Sequence, residues 1–389
     1  MPVLTAHDEL MCHQLSTTFD HVAQSDLRWT ERVVLYGFDR QTLTSVMTGM
    51  ARYPNRNVID AYAMIGVDGQ AHVVRTSREI SAGVDGIASW QVGNYGYSVT
   101  EPLRRVHAVL EAGDGLGALP REREVPPPAC GGDMSLEVDF TGTFDCYEQA
   151  PAFFRDRGRV DENARRFYQN GHASGSITLG ENKIAITPEN WYFARDHSWG
   201  VRRGSGGGDL PQTSVLQPRQ IPEGVLYFMG IFEFDDRLVH FAQREDAHGH
   251  IWQYEGELLY PSSTGKPSQA ITHVDHDFRF RDDLRVISGG EVVVHAADGT
   301  AAAIAITPVT NFWPGFAGYD EYRGYASGHW RGPSFSDSFV VDTTDPTELA
   351  KVSLVSETFC SVRSGDSVGH GLVEMVFVGK NDRYGYAGY

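Results

Sequence analysis

Basic residues are in short supply. Lysine and arginine total 33 against 51 acidic residues, a formal net charge of −18 over 389 residues. Nucleic acid and anionic membrane both need a basic surface, so neither is expected as a partner. Cysteine is scarcer still. Cys12, Cys130, Cys146 and Cys360 form no CxxC pair and are too scattered for a disulfide scaffold, which fits reduced thiols in a cytoplasmic protein. No stretch approaches the roughly 20 apolar residues of a membrane span. His7, Asp8 and Glu9 stand where a secretion signal needs basic residues and then an apolar run. GxGxxG after a strand, a Walker A loop, a GxSxG elbow and HExxH are also missing, which withdraws support from nucleotide chemistry and serine hydrolysis. Any chemistry is therefore expected to need no cofactor and no metal.

What is present belongs to a folded β protein. Hydrophobic residues make up 41% and charged residues 22%, a globular composition with length for two or three ordinary domains. Forty-two glycines and 11% aromatics favour strands over helices. Residues 7–24 have the spacing of a short amphipathic helix. Strands follow from Val33 onward, and Asp68-Gly69 marks a type I′ hairpin turn. Between Leu136 and Cys146 the alternation is strict: Leu136, Val138 and Phe140 face one way, Glu137 and Asp139 the other. Leu119–Gly132 reads as an irregular crossing segment. A second β set runs from Val225 and includes Phe335–Val341 among its closing strands. The pattern G-x-A-S-G occurs at Gly171–Gly175 and again at Gly324–Gly328, which favours two related barrels or sandwiches. The expected plan is a helical lead-in (1–30), a first β-domain (31–203), a Gly/Pro-rich linker (204–221) and a second β-domain (222–389).

Chemistry concentrates in Trp191-Tyr192-Phe193-Ala194-Arg195-Asp196-His197-Ser198-Trp199-Gly200. On a regular strand Asp196 and His197 would point to opposite faces, whereas on a bend they would converge on one pocket and could transfer protons there. Arg195 could hold the acid ionised or bind an anionic group, and Trp191, Tyr192, Phe193 and Trp199 could wall the pocket. The plainer alternative is a domain-junction turn in which Asp196 caps a backbone N–H and Trp199 fills the interface. Glu374 breaks an otherwise apolar strand, so it either pairs with an arginine or faces a pocket, with Tyr384 and Tyr386 within possible reach. His248, His250 and Glu255 have the order of a cupin metal site, but Ala242 stands where that motif expects glycine, and a polar hairpin tip fits better. His273, Asp275, His276 and Asp277 are read in the same way.

Asp196-His197-Ser198-Trp199-Gly200 resembles the Asp-His-x-Trp-Gly motif of tandem lipocalin-like proteins in the calycin superfamily. That group includes the carotenoid hydratases (hydroxyneurosporene synthase), the kievitone hydratases and the AttH-like families. The resemblance implies a mainly β chain of two lipocalin-like antiparallel barrels or sandwiches with an apolar cavity near their junction. It also implies a hydratase, dehydratase or isomerase acting on a hydrophobic terpenoid-, polyketide- or phenylpropanoid-like small molecule. On this reading Asp196 is the leading proton donor or acceptor and His197 assists it or orients water. Protonation by Asp196 would give a cationic intermediate. A lipophilic ligand-binding protein without chemistry is the main alternative, and neither substrate nor oligomeric state follows from the residues.

Overall fold

The computed structural model describes residues 4–13, 25–80, 86–113, 134–156, 159–202, 222–282 and 284–388. The expected crossing segment Leu119–Gly132, the linker 204–221 and residues 14–24 of the expected leading helix lie outside them. The described part of that helix is a 3₁₀ turn, Ala6–Glu9.

In chain order the strands are β1 (Trp29–Asp39), β2 (Ser45–Tyr53), β3 (Val58–Val67), β4 (Gln70–Arg78), β5 (Ser89–Val92), β6 (Tyr95–Glu101) and β7 (Arg105–Leu110). Then come β8 (Met134–Gly142), β9 (Tyr147–Glu148), β10 (Ala152–Asp156), β11 (Arg159–Leu179), β12 (Asn182–Ile186) and β13 (Trp191–Val201). Next are β14 (Gly224–Glu233), β15 (Leu238–Asp246), β16 (Ile251–Leu259), β17 (Gln269–Phe280), β18 (Ile287–Ala296) and β19 (Ala301–Phe312). Last are β20 (Ser334–Asp342), the single-turn helix α1 (Pro346–Leu349), β21 (Ser356–Ser364) and β22 (Ser367–Gly379).

Two compact units result. The first comprises Met1–Gly142, Cys146–Gln217 and Ala317–Thr343; the second comprises Thr143–Asp145, Pro218–Phe316 and Thr344–Tyr389. The first holds one curled antiparallel sheet in the order β20-β4-β3-β2-β1-β13-β11-β8-β7-β6-β5, with β9, β10 and β12 also paired to β11. Arg78 on β4 donates to the Gln91 carbonyl on β5, so the two ends of the sheet curl toward each other. The second is a closed antiparallel barrel, β14-β15-β16-β17-β18-β19-β21-β22. Among the described residues no helix is long and apolar enough to cross a membrane.

Alternation builds these elements as expected. In β8, Met134, Leu136, Val138 and Phe140 are buried while Glu137 and Asp139 are exposed. Asp68 and Gly69 both take positive φ (50° and 74°), the requirement of a type I′ turn joining β3 to β4. One expectation fails. Phe335–Val341 does not close the second β set: β20 pairs along β4 of the first unit, with Asp337 opposite Arg75.

The repeated G-x-A-S-G also separates into two unrelated uses, both within the first unit. In β11 a Cβ at Gly171 would lie 2.1 Å from the Thr141 carbonyl oxygen, and one at Gly175 1.9 Å from that of Glu137, so close strand approach demands glycine. Gly324 and Gly328 instead occupy turns with φ of 71° and 73°. The repeat therefore marks no equivalence between the two β sets.

Candidate active site

Everything at the site is organised by β13. All eleven of its residues are buried, and it lies between β1 and β11 in continuous register. Asp196 stands opposite Val34 and Tyr168, and His197 opposite Val33 and Phe167. The strand is regular, so successive side chains leave from opposite faces. Asp196 and His197 therefore do not converge, and Arg195 does not hold Asp196.

The face bearing Asp196 is covered by residues of the Ala317–Thr343 segment. Arg32 on β1 stacks its guanidinium over Tyr319, 4.6 Å from the ring centroid, and Tyr319 meets Tyr62 of β3 edge to face at 6.3 Å. Arg166 on β11 places Nε 3.4 Å from Asp196 Oδ2 and donates to the Tyr168 hydroxyl at 2.6 Å. Arg202, just past β13, donates to Ser198 Oγ at 2.7 Å. Asp196 is 2% exposed, and its Oδ1 has no hydrogen-bond partner among the described residues. Arg32 Nε is likewise buried without one.

The electrostatics follow from this crowding. Burial, with repulsion from Arg166 and Arg32, brings the Arg202 guanidinium down to about 9 despite the opposing pull of Asp196 and Glu162. Burial also works against the charge on Arg32, but Tyr319 and Asp196 outweigh it and move it upward. The phenols of Tyr62 and Tyr319 are pushed up by burial. The guanidiniums of Arg32, Arg166 and Arg202 thus crowd around Asp196, with Glu162 also acting on Arg202, in a poorly solvated place.

Farther along the same face, Asp60 on β3 accepts from the Gly328 N–H at 2.6 Å and the Tyr325 hydroxyl at 3.4 Å. Burial pushes its carboxyl up to about 7, against those two hydrogen bonds and the arginines Arg56 and Arg32. Arg75 donates to Asp337 at 2.9 Å and to the Tyr322 carbonyl at 3.0 Å, with its guanidinium between the rings of Tyr325 and Phe339.

The opposite face carries a second constellation. Arg195 makes a two-pronged ion pair with Glu9 at 2.6 and 2.7 Å and donates to Gln169 at 2.9 Å, so it is fully engaged. His197 Nε2 lies 3.2 Å from Glu31 Oε1, and His13 Nδ1 lies 2.6 Å from the same oxygen. Burial alone would raise the Glu31 carboxyl; its hydrogen bonds with both imidazoles outweigh that and hold it below the usual range. Trp199 stacks on His13, with ring centroids 3.7 Å apart.

The remaining sequence candidates disperse. Trp191 belongs to the apolar core and donates Nε1–H to the Ala185 carbonyl; Tyr192 accepts from Asn170 at 3.1 Å. Glu374 and Tyr384 fall in the second unit. Glu374 is half-buried on β22, opposite Met229 and Glu357. The Tyr384 hydroxyl meets His276 Nδ1 at 2.7 Å and accepts from the Phe278 N–H at 3.1 Å. His276 in turn meets Glu245 at 2.6 Å, which corrects the reading of His276 as part of a solvated turn. His248 and His250 do occupy an exposed turn, bound by Asp382 and Asp246, while Glu255 is buried on β16. Sequence reasoning missed Arg32, Arg166, Arg202, Tyr62 and Tyr319 because no motif joins them. It missed His13 and Glu31 as well, since His13 lies well before β1 in the chain and only the fold brings it to Glu31.

A curled sheet and a closed barrel with buried, polar-lined strands define a two-unit β protein. The fold is shared with a candidate AttH protein from Nitrosomonas europaea (NE1406): TM-score 0.53 and 13% identity over 91% of this chain and 94% of that one. CghA is similar at TM-score 0.49 and 11% identity, covering 91% of this chain and 89% of that one. CghA with Sch210972 gives 0.49 and 11% over 90% and 89%. No functionally curated protein matches the sequence. The chain belongs to the Family of unknown function (DUF8625), whose profile matches residues 4–387.

Proposed function

We propose that this protein is a proton-transfer enzyme of the lyase or isomerase type, with Asp196 as the group that exchanges a proton with a small organic molecule. One observation carries the reading: a buried carboxylate oxygen without a partner among the described residues, set among the guanidiniums of Arg32, Arg166 and Arg202. An unpartnered buried oxygen costs stability, and such costs concentrate where chemistry is done.

The surroundings favour an anionic intermediate over the cationic one expected from sequence. A carbocation beside Arg32, Arg166 and Arg202 would be repelled, whereas a developing enolate would be stabilised in a site of low dielectric. Asp196 takes a proton from the carbon next to a carbonyl, and the electron pair moves onto the carbonyl oxygen, held by the arginines. Asp196 then returns the proton either to a β-hydroxyl, which leaves as water, or to another carbon, which completes an isomerisation. The substrate class is thus a small molecule with a carboxylate or enolisable carbonyl at one end.

Solvent-deuterium exchange tests this. Wild-type protein and Asp196→Asn are incubated in D₂O with a panel of β-hydroxy acids, β-keto acids and enols and followed by NMR. Wild type should wash deuterium into the α-carbon of at least one compound, and the variant should lose at least about 100-fold of that rate while remaining folded. An equally active variant removes Asp196 from the mechanism. A co-purified ligand recovered unchanged, with no exchange in the panel, favours the non-catalytic binding protein.

A further inference from the structure

We propose that His13, Glu31 and His197 bind one divalent transition-metal cation of the zinc class, on the face of β13 turned away from Asp196. The donor set is two imidazoles and one carboxylate, which suits zinc, iron, nickel or copper better than the oxygen-seeking magnesium and calcium. His13 Nδ1 and His197 Nε2 lie 2.6 and 3.2 Å from Glu31 Oε1, and the three ligand atoms all fall within 4.8 Å of one another. Ligands held about 2.0–2.2 Å from a shared ion stand roughly 3 Å apart, so small rotations bring these three onto one centre.

Three further observations favour an ion over a hydrogen-bonded trio alone. Glu31 and His197 are both 0% exposed, yet Glu31 Oε2 has no hydrogen-bond partner among the described residues. A metal would engage the carboxylate more fully than two hydrogen bonds to a single oxygen do. With Nδ1 of His13 turned to the ion, its Nε2 points toward Asp8 Oδ1 at 3.7 Å, the carboxylate support that metal-bound histidines commonly have. The imidazoles are also held in place: Trp199 stacks on His13, and Phe167 and Trp199 each meet His197 edge to face at 5.4 Å.

Two ligands come from neighbouring strands β1 and β13 and the third from the segment after the Ala6–Glu9 turn. An ion here would pin residues 4–13 to the sheet. Three protein ligands leave a fourth position for water. The second cluster with suitable residue types, His107, Glu137 and Asp139, is largely exposed on β7 and β8 and supplies a control.

The test uses the full chain, stripped with chelator and titrated with Zn²⁺ and Co²⁺ in a calorimeter, with bound metal counted by mass spectrometry. One equivalent should bind and raise Tm, with a Co²⁺ visible spectrum of nitrogen–oxygen coordination, while Mg²⁺ does not compete. His13→Ala, which sits on a peripheral segment and leaves the sheet intact, should weaken binding at least 100-fold; His107→Ala should leave it unchanged. Glu31→Gln should weaken it at least tenfold. Stoichiometric binding that survives His13→Ala, or that is lost in His107→Ala, overturns the assignment, as does the absence of any equivalent bound by the stripped wild-type chain.

Discussion

Asp196 and His197 are neighbours in the chain and strangers in the fold: one side chain meets Arg166, the other meets Glu31 on the far side of the same strand. Their substitutions should therefore separate. Asp196→Asn should abolish turnover and leave metal content intact. His197→Gln should do the reverse, lowering metal content at least tenfold with a smaller effect on deuterium exchange. Equal losses of both properties in either variant would contradict the two-faced arrangement.

The ion pair of Arg195 with Glu9 is buried on both sides. Arg195→Met leaves Glu9 as an uncompensated buried charge and should cost about 3–5 kcal/mol in urea unfolding. Adding Glu9→Gln to the same chain should recover part of that loss, because the stranded charge is gone.

Asp60 predicts a pH dependence. Its carboxyl is raised from 3.8 to about 7 in the folded protein, so the folded state holds that proton more tightly than the unfolded chain does. The stability it contributes is full below pH 3.8 and is lost as pH rises through about 7. Asp60→Asn keeps an acceptor for the Gly328 N–H and cannot ionise. Its stability relative to wild type should climb between pH 4 and 7 and level off above; a flat difference in thermal melts across that window would refute the shift.

Tyr384→Phe removes a hydroxyl serving both His276 and the Phe278 N–H inside the closed barrel. The expected cost is about 1–3 kcal/mol from the groups left unpaired. Denaturant unfolding monitored by aromatic fluorescence would measure it.

Much of the fold could be read from alternation alone, because period-2 burial in stretches such as Leu136–Phe140 is a local property. Partner choice is not local. Nothing in Phe335–Val341 names β4 as its neighbour, so β20 was expected in the wrong unit. The site behaved in the same way. The Asp-His-x-Trp-Gly motif drew attention to β13, yet its adjacent acid and imidazole suggested a shared pocket that strand geometry forbids. Arg32, Arg166 and Arg202 sit on or beside three different strands, and only the register brings them to one face. His13 reaches Glu31 and His197 through a tertiary contact that no spacing announces.

The pairing of β20 with β4 sets a timetable for synthesis. Arg75 leaves the ribosome 262 residues before Asp337, its partner across the ladder. At about 5–20 residues per second, the edge of β4 waits roughly 13–52 s for completion. During that interval nine residues of unpaired backbone are open to any passing strand, including the same strand of a sister chain. Holdase chaperones that shield strand edges should bind nascent chains arrested before Ser334 and release those extended beyond Asp342.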